Sequence, residues 1–172
     1  MNPAVISTWC EPAKNFGMFI STAAKNRITL YNADDSKWEG STWQDIPWYK
    51  KSEAQAKFVR DHFNEFTHFI FVDAYDVAFT AGTDEIVAKY EKIGSPILFG
   101  AECYCWPDLH LMEAYPSSPH RAKYLNAGFW MGSGQPLLDF ITELEKLAAK
   151  RYRCDQGIAT DLFLSKKYPM AI

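Results

Sequence analysis

Asp73 and Asp76 are the residues of this sequence best suited to chemistry, because they interrupt an otherwise apolar stretch, Phe69-Ile70-Phe71-Val72-Asp73-Ala74-Tyr75-Asp76-Val77. A run this rich in aromatic and β-branched residues predicts a strand buried on both faces. An ionised carboxylate does not sit in such a place without a partner, because desolvation is costly. Strand side chains alternate between faces, so a continuing strand would send Asp73 and Asp76 to opposite sides. A turn at Ala74-Tyr75 brings them together instead. The spacing predicts a central strand ending at Asp73, with both carboxylates converging on a cation at its C-terminal edge. The ordinary alternative is that Asp73 caps a turn and Asp76 is a solvated loop residue.

Paired carboxylates are hard oxygen ligands, suited to Mn²⁺ or Mg²⁺ rather than to a soft metal. Such a cation keeps about six ligands, which leaves positions for phosphate oxygens and water. A metal bridging a diphosphate stabilises the charge that grows when a nucleoside diphosphate leaves a sugar. Tyr75, between the aspartates, either stacks on a base or packs into the core. Other motifs are missing. A phospho-aspartyl hydrolase needs its two carboxylates two residues apart, not three. No phosphate-cradling glycine loop and no Gly-x-Ser-x-Gly elbow occur.

Elements on either side must position these groups. Ala4–Trp9 reads as a first strand, with Thr8 at its C-terminal end; residues 13–25 read as a helix and Arg27–Asn32 as a second strand. Asp34–Tyr49, rich in Trp, Gly, Ser and Asp, reads as a loop. Ser52 is the expected N-cap of a helix whose apolar stripe is Ala54, Phe58, Val59 and Phe63. After the aspartates, Thr83 is expected to cap a helix that stops at Gly94, and Pro96–Tyr104 reads as a buried strand. Trp106–Pro119 is mostly loop. Tyr124–Gly132 reads as a strand interrupted by Asn126-Ala127-Gly128. Pro136 suits the first turn of a long helix, a last helix covers about Asp155–Lys166, and Pro169–Ile172 starts a final strand. Strands alternating with helices predict an α/β domain with a mostly parallel sheet, whose ligands bind beyond the C-terminal strand ends. Thr8, Asp73, Asp76, Glu102 and Trp106 all fall on that rim.

The 172 residues suit one domain with a sizeable core. A net charge of −3, with no more than two basic residues in succession, argues against nucleic acid or an anionic membrane as partner. No apolar run of transmembrane length and no secretory leader are visible, which reads as a cytoplasmic protein. Cys10, Cys103, Cys105 and Cys154 fit no zinc spacing and read as reduced thiols, with a Cys105–Cys154 bridge as the lesser alternative. Aromatics make up 16% of the chain, and Trp38, Trp43, Trp48 and Trp106 lie outside strand-like runs, where they either line a pocket or pack.

Four ordered segments carry a resemblance: Phe71-Val72-Asp73-Ala74-Tyr75-Asp76-Val77, Cys105-Trp106-Pro107-Asp108, Tyr115-Pro116 and Tyr124-Leu125-Asn126-Ala127-Gly128-Phe129-Trp130-Met131-Gly132, followed by Asp155-Gln156. Together they resemble the glycosyltransferase domain of procollagen lysyl hydroxylases, over roughly residues 4–172. The resemblance implies a GT-A-like nucleotide-diphospho-sugar transferase fold, with helices on both faces of the sheet. It implies Mn²⁺ (or Mg²⁺) on Asp73 and Asp76, and a UDP-sugar whose uracil stacks on Tyr75. Thr8 matches a nucleoside contact, and Trp106 lines the sugar pocket. Asn126 and Gly128 border donor and acceptor, and Lys51 or Lys50 holds the diphosphate. The family's acidic pair before Gln reads Cys154-Asp155-Gln156 here, leaving Asp155 and Gln156 as the candidate catalytic residues. The family also draws a histidine metal ligand from beyond the last strand. His62, His68, His110 and His120 do not match it: residues 1–172 read as one domain in which either water or another group takes that place, or which is a minimal or truncated form.

The function this implies is metal-dependent transfer of a hexose from a UDP-sugar to a hydroxyl on a glycan, protein or small molecule. A nucleotide-sugar binding module that no longer catalyses is the alternative. A ligand-free structural domain is a third reading.

Overall fold

The computed structural model describes residues 2–9, 16–33, 48–151 and 154–172. A six-stranded sheet in the order β2-β1-β3-β5-β4-β6 forms the middle layer. Its strands are β1 (Pro3–Ser7), β2 (Leu30–Asn32), β3 (His68–Val72), β4 (Ile97–Glu102), β5 (Tyr124–Gly132) and β6 (Met170–Ala171). Pairing is parallel except along both edges of β5, so β5 alone runs against the others. The helices are α1 (Phe16–Lys25), α2 (Trp48–Asp61), α3 (Thr83–Ile93), α4 (Gly134–Arg151) and α5 (Asp155–Leu164), and Leu109–Ala114 forms a 3-10 turn.

β3 shows how an apolar run is used on both faces. Phe69 and Phe71 join the core under α2, α4 and α5, whereas Ile70 and Val72 join the core under α1 and α3. All four are almost fully buried, each contributing about 1.5–3 kcal/mol of transfer free energy. Helices therefore cover both faces, as a mostly parallel sheet requires. The same alternation sends the next residue of the Phe69/Phe71 series, Asp73, toward α2 and α5. That direction decides the geometry of the site.

Several element ends differ from the sequence reading. α2 begins at Trp48, so Ser52 lies inside it, fully buried, with its hydroxyl facing the core rather than capping. Phe58 and Val59 of the expected stripe are buried, with Ala54 and Phe63 packed against the same core. Ser52, Gln55, Ala56 and Val59 form a buried i, i+3, i+4, i+7 stripe that includes two polar side chains. Gly82, not Thr83, takes the N-cap position of α3, while Gly94 ends that helix in the left-handed conformation, φ 70°. Cys154, not Asp155, caps α5, its Sγ accepting from the Gly157 N–H at 3.4 Å. Of the Asp34–Tyr49 loop, residues 34–47 lie outside the described residues, as do Trp38, Trp43 and Cys10; Trp48 and Tyr49 are helical. No disulfide joins Cys105 to Cys154.

The interruption expected in β5 is a bulge. Phe99 of β4 opposes Trp130, but Gly100 opposes Asn126, so Ala127, Gly128 and Phe129 are extra on the β5 side. On its other edge β5 stays paired, with Val72 opposite Phe129 and the Asp73 N–H donating to the Gly128 carbonyl at 2.9 Å. The bulge thus lies directly beside the end of β3.

Candidate active site

Asp73 leaves β3 at its C-terminal edge and turns toward α2, where Lys51 meets it. Lys51 Nζ lies 2.9 Å from Asp73 Oδ1 and 2.9 Å from Asp155 Oδ2. The ammonium lies over the Phe71 ring, 5.0 Å from its centre. Trp130 stacks on Phe71 with ring centres 5.7 Å apart, and its indole N–H donates to Gln55 Oε1 at 3.2 Å. Lys50, the other candidate diphosphate lysine, pairs with Glu53 at 2.6 Å. Lys51 is thus the lysine that reaches the aspartates.

Among the described residues the charges do not balance: Asp73 and Asp155 share the Lys51 ammonium, and Asp76 is close enough to act on Asp73 electrostatically. Burial pushes the Asp73 carboxyl above its ordinary range; Lys51 opposes this, while Asp155 and Asp76 add to it. For Lys51, burial favours the neutral amine, yet Asp155 and Asp73 more than reverse that and hold it protonated. A carboxyl held above its ordinary range, as Asp73 is, has room for another positive charge beside it.

Gly128 sets how closely β5 approaches. A Cβ there would lie 3.0 Å from both Asp73 Oδ2 and Asn126 Oδ1, so any side chain at this position would push on both. Asn126 folds back on the bulge, Oδ1 accepting from the Gly128 N–H at 2.9 Å.

Asp155 and Gln156 open α5, where both are buried. The Asp155 carboxylate also accepts from the Gln156 N–H at 2.9 Å. Gln156 binds three segments at once. Its Oε1 accepts from the Ala127 N–H at 2.9 Å, and its Nε2 donates to the Trp106 carbonyl at 2.8 Å and to Glu102 Oε1 at 2.5 Å. Both amide donors are therefore spent on the protein, which makes Gln156 a brace rather than a free reagent. Glu102, at the end of β4, belongs to the site through this bond; its place on the C-terminal rim was the signal for it.

Tyr75 is half-buried, its ring 6.1 Å from Phe16 and packed against the α1-side core. Thr8 follows β1 at the same sheet edge, half-buried. Ser7, beside it, was not singled out by sequence; its buried hydroxyl donates to the Val72 carbonyl at 2.6 Å and ties β1 to the strand end that carries Asp73. Trp106 is about half exposed on the segment leaving β4, and its bond to Pro107 is cis. The histidines lie elsewhere: His68 starts β3 at the end opposite Asp73, edge-on to Tyr90, and His62 pairs with Glu65. Among the described residues no group of three or more His, Cys, Asp or Glu side chains is arranged to cage a metal ion. The donor set nevertheless fits a hard cation with an incomplete protein shell: two carboxylates on one turn and excess negative charge beside them.

The mostly parallel six-stranded sheet with helices on both faces forms a GT-A-like fold. A glycosyltransferase involved in the glycosylation of the major capsid of PBCV-1 is similar to this chain with a TM-score of 0.60 at 11% identity, covering all of this chain and 81% of that one. A197 from STIV aligns with a TM-score of 0.53 at 13% identity, covering 82% of its chain. The sequence model of the PLOD GT domain matches residues 10–171, and the chain belongs to that family. Procollagen-lysine,2-oxoglutarate 5-dioxygenase of Drosophila melanogaster is 32% identical over 165 residues, which is 94% of this chain and 22% of that protein. A multifunctional procollagen lysine hydroxylase and glycosyltransferase of Caenorhabditis elegans is 39% identical over 103 residues, 59% of this chain and 14% of that protein. The chain thus spans about a fifth or less of the length of these relatives.

Proposed function

We propose that this domain transfers a hexose from a UDP-sugar to the hydroxyl of an acceptor, assisted by Mn²⁺ or Mg²⁺. The observation that carries this is the pairing of Asp73 and Asp155 on Lys51, with Asp76 acting on Asp73 from the same turn, at the C-terminal sheet edge. In the reaction the bond between the anomeric carbon and the diphosphate oxygen breaks. A bond to the acceptor oxygen forms, the acceptor proton is lost, and UDP leaves. Asp73 and Asp76 would hold the cation, which when bound neutralises charge on the leaving diphosphate.

The chain's own residues divide the rest. Lys51 offers an ammonium to the diphosphate, and Tyr75 with Thr8 receives the nucleoside. Trp106 walls the sugar, and Asn126 and Gly128 border donor and acceptor. Asp155, buried and held from two sides, orients the sugar near its reacting carbon. Gln156 keeps the Trp106 segment, Glu102 and the β5 bulge in register around it.

A second reading is a nucleotide-sugar binding module without turnover. It is favoured by the way Lys51 already satisfies an oxygen on both Asp73 and Asp155. Assays of sugar transfer and UDP release across several UDP-hexoses and hydroxyl acceptors, with and without Mn²⁺, separate the two. Metal-dependent transfer supports the enzyme; UDP binding without transfer or hydrolysis supports the module.

A further inference from the structure

We infer that Lys51 is a built-in competitor of the divalent cation, holding Asp73 until a nucleoside diphosphate arrives to receive its ammonium. The inference rests on the metal reading above and concerns how that site is controlled.

Asp73 Oδ1 lies 2.9 Å from the Lys51 ammonium. Oδ2 lies beside the β5 bulge, where a Cβ on Gly128 would sit 3.0 Å from it. A cation taking Asp73 therefore meets a like charge already on that carboxylate. Nor can the ammonium leave without consequence, since Asp155 Oδ2 holds it at 2.9 Å and it lies over the Phe71 ring. Lys51 thus ties β3 to α5 across the mouth of the site. A free cation offers nothing for Lys51 to bind instead. A diphosphate does, because it brings anionic oxygens that satisfy both the cation and the displaced ammonium.

Two consequences distinguish this from simple bridging of metal and diphosphate. First, the nucleotide-free protein binds the cation more weakly than its two aspartates alone would. Second, much of the coupling between cation and UDP runs through Lys51, and by linkage that coupling is the same in either direction.

The test compares wild type, Lys51→Met and Lys51→Arg. Mn²⁺ binding is read from the loss of the free-ion electron paramagnetic resonance signal, with and without UDP. Lys51→Met should bind Mn²⁺ at least tenfold more tightly than wild type when no nucleotide is present. UDP should then tighten Mn²⁺ binding much less in this variant than in wild type. Lys51→Arg, which keeps the charge, should resemble wild type. Equal or weaker nucleotide-free Mn²⁺ binding by Lys51→Met overturns the inference while leaving the metal reading intact. Absence of Mn²⁺ binding by every form, with and without UDP, overturns both. Because Lys51→Met can be poorly folded, a second measurement uses wild type alone: competitive amine labelling read by mass spectrometry. Mn²⁺ without nucleotide should raise the labelling of Lys51 severalfold, and UDP added with Mn²⁺ should lower it again. Labelling unchanged by Mn²⁺ in a protein that binds it also overturns the inference.

Discussion

Replacing Gln156 tests whether this residue is a reagent or a brace. Gln156→Ala removes three hydrogen bonds from a buried amide: those to the Ala127 N–H, the Trp106 carbonyl and Glu102. Glu102 and Trp106 can turn to water, because neither is buried, but Ala127 is buried and its N–H is left unpaired. Two bonds at about 1 kcal/mol net each, plus about 1–3 kcal/mol for the stranded donor, give a loss of about 3–5 kcal/mol. Gln156→Glu is the sharper probe. It keeps an acceptor for Ala127 but turns the other oxygen against the Glu102 carboxylate, where a donor stood at 2.5 Å. At neutral pH the two carboxylates repel, and the loss should equal or exceed that of Gln156→Ala. Repulsion raises the proton affinity of the pair in the folded state above its unfolded value. A raised value gives stability that is present at acid pH and lost as pH rises through it. The deficit of Gln156→Glu against wild type should therefore shrink as pH falls toward the carboxylate range. Urea unfolding at several pH values measures it. A variant as stable as wild type at neutral pH, or a deficit independent of pH, refutes the brace.

Three further outcomes follow from the same geometry. Asp73→Asn should change metal-free stability by no more than about 1 kcal/mol, since the pair it loses is partly exposed. Because burial raises the Asp73 carboxyl, wild type should gain on this variant as pH falls, and only wild type should show a Mn²⁺-dependent rise in melting temperature. Ser52→Ala should raise stability by about 0.5–2 kcal/mol in thermal or urea unfolding, because the Ser52 hydroxyl is buried inside α2 without a hydrogen-bond partner among the described residues; a loss of similar size would reveal a partner. Tyr75→Ala should weaken UDP binding by about 1–3 kcal/mol in calorimetry if the ring stacks on the base; unchanged affinity in a destabilised variant would make Tyr75 a core residue.

The sheet was legible because its strands are written in side-chain chemistry. β3 is continuous in apolar residues, and its end is marked by the first carboxylate. The GT-A-like fold and helices on both faces follow from that alternation of elements and from the resemblance of the ordered segments. Helix starts were less legible, for a physical reason. Ser52 is a good cap by type, yet tertiary packing extends α2 upstream and buries that hydroxyl. Cys154 is a poor cap by type, yet its sulfur does the capping, which frees Asp155 to face Lys51. The aspartates were found from their spacing. What spacing cannot show is that Asp73 inherits the α2-facing side of β3, and so meets Lys51 and Asp155 before any ligand. Gln156 was read as a reagent because its neighbours in sequence are; only the three-way contact with Ala127, Trp106 and Glu102 reveals the brace.

The most direct test is calorimetric titration of UDP into this protein with Mn²⁺ and with a chelator, repeated for Asp76→Asn. Asp76 is exposed, so its loss should leave the protein folded. Much tighter UDP binding with Mn²⁺ in wild type, with most of that gain lost in Asp76→Asn, is the expected result. Equal UDP affinity with and without Mn²⁺ would contradict a cation held by Asp73 and Asp76.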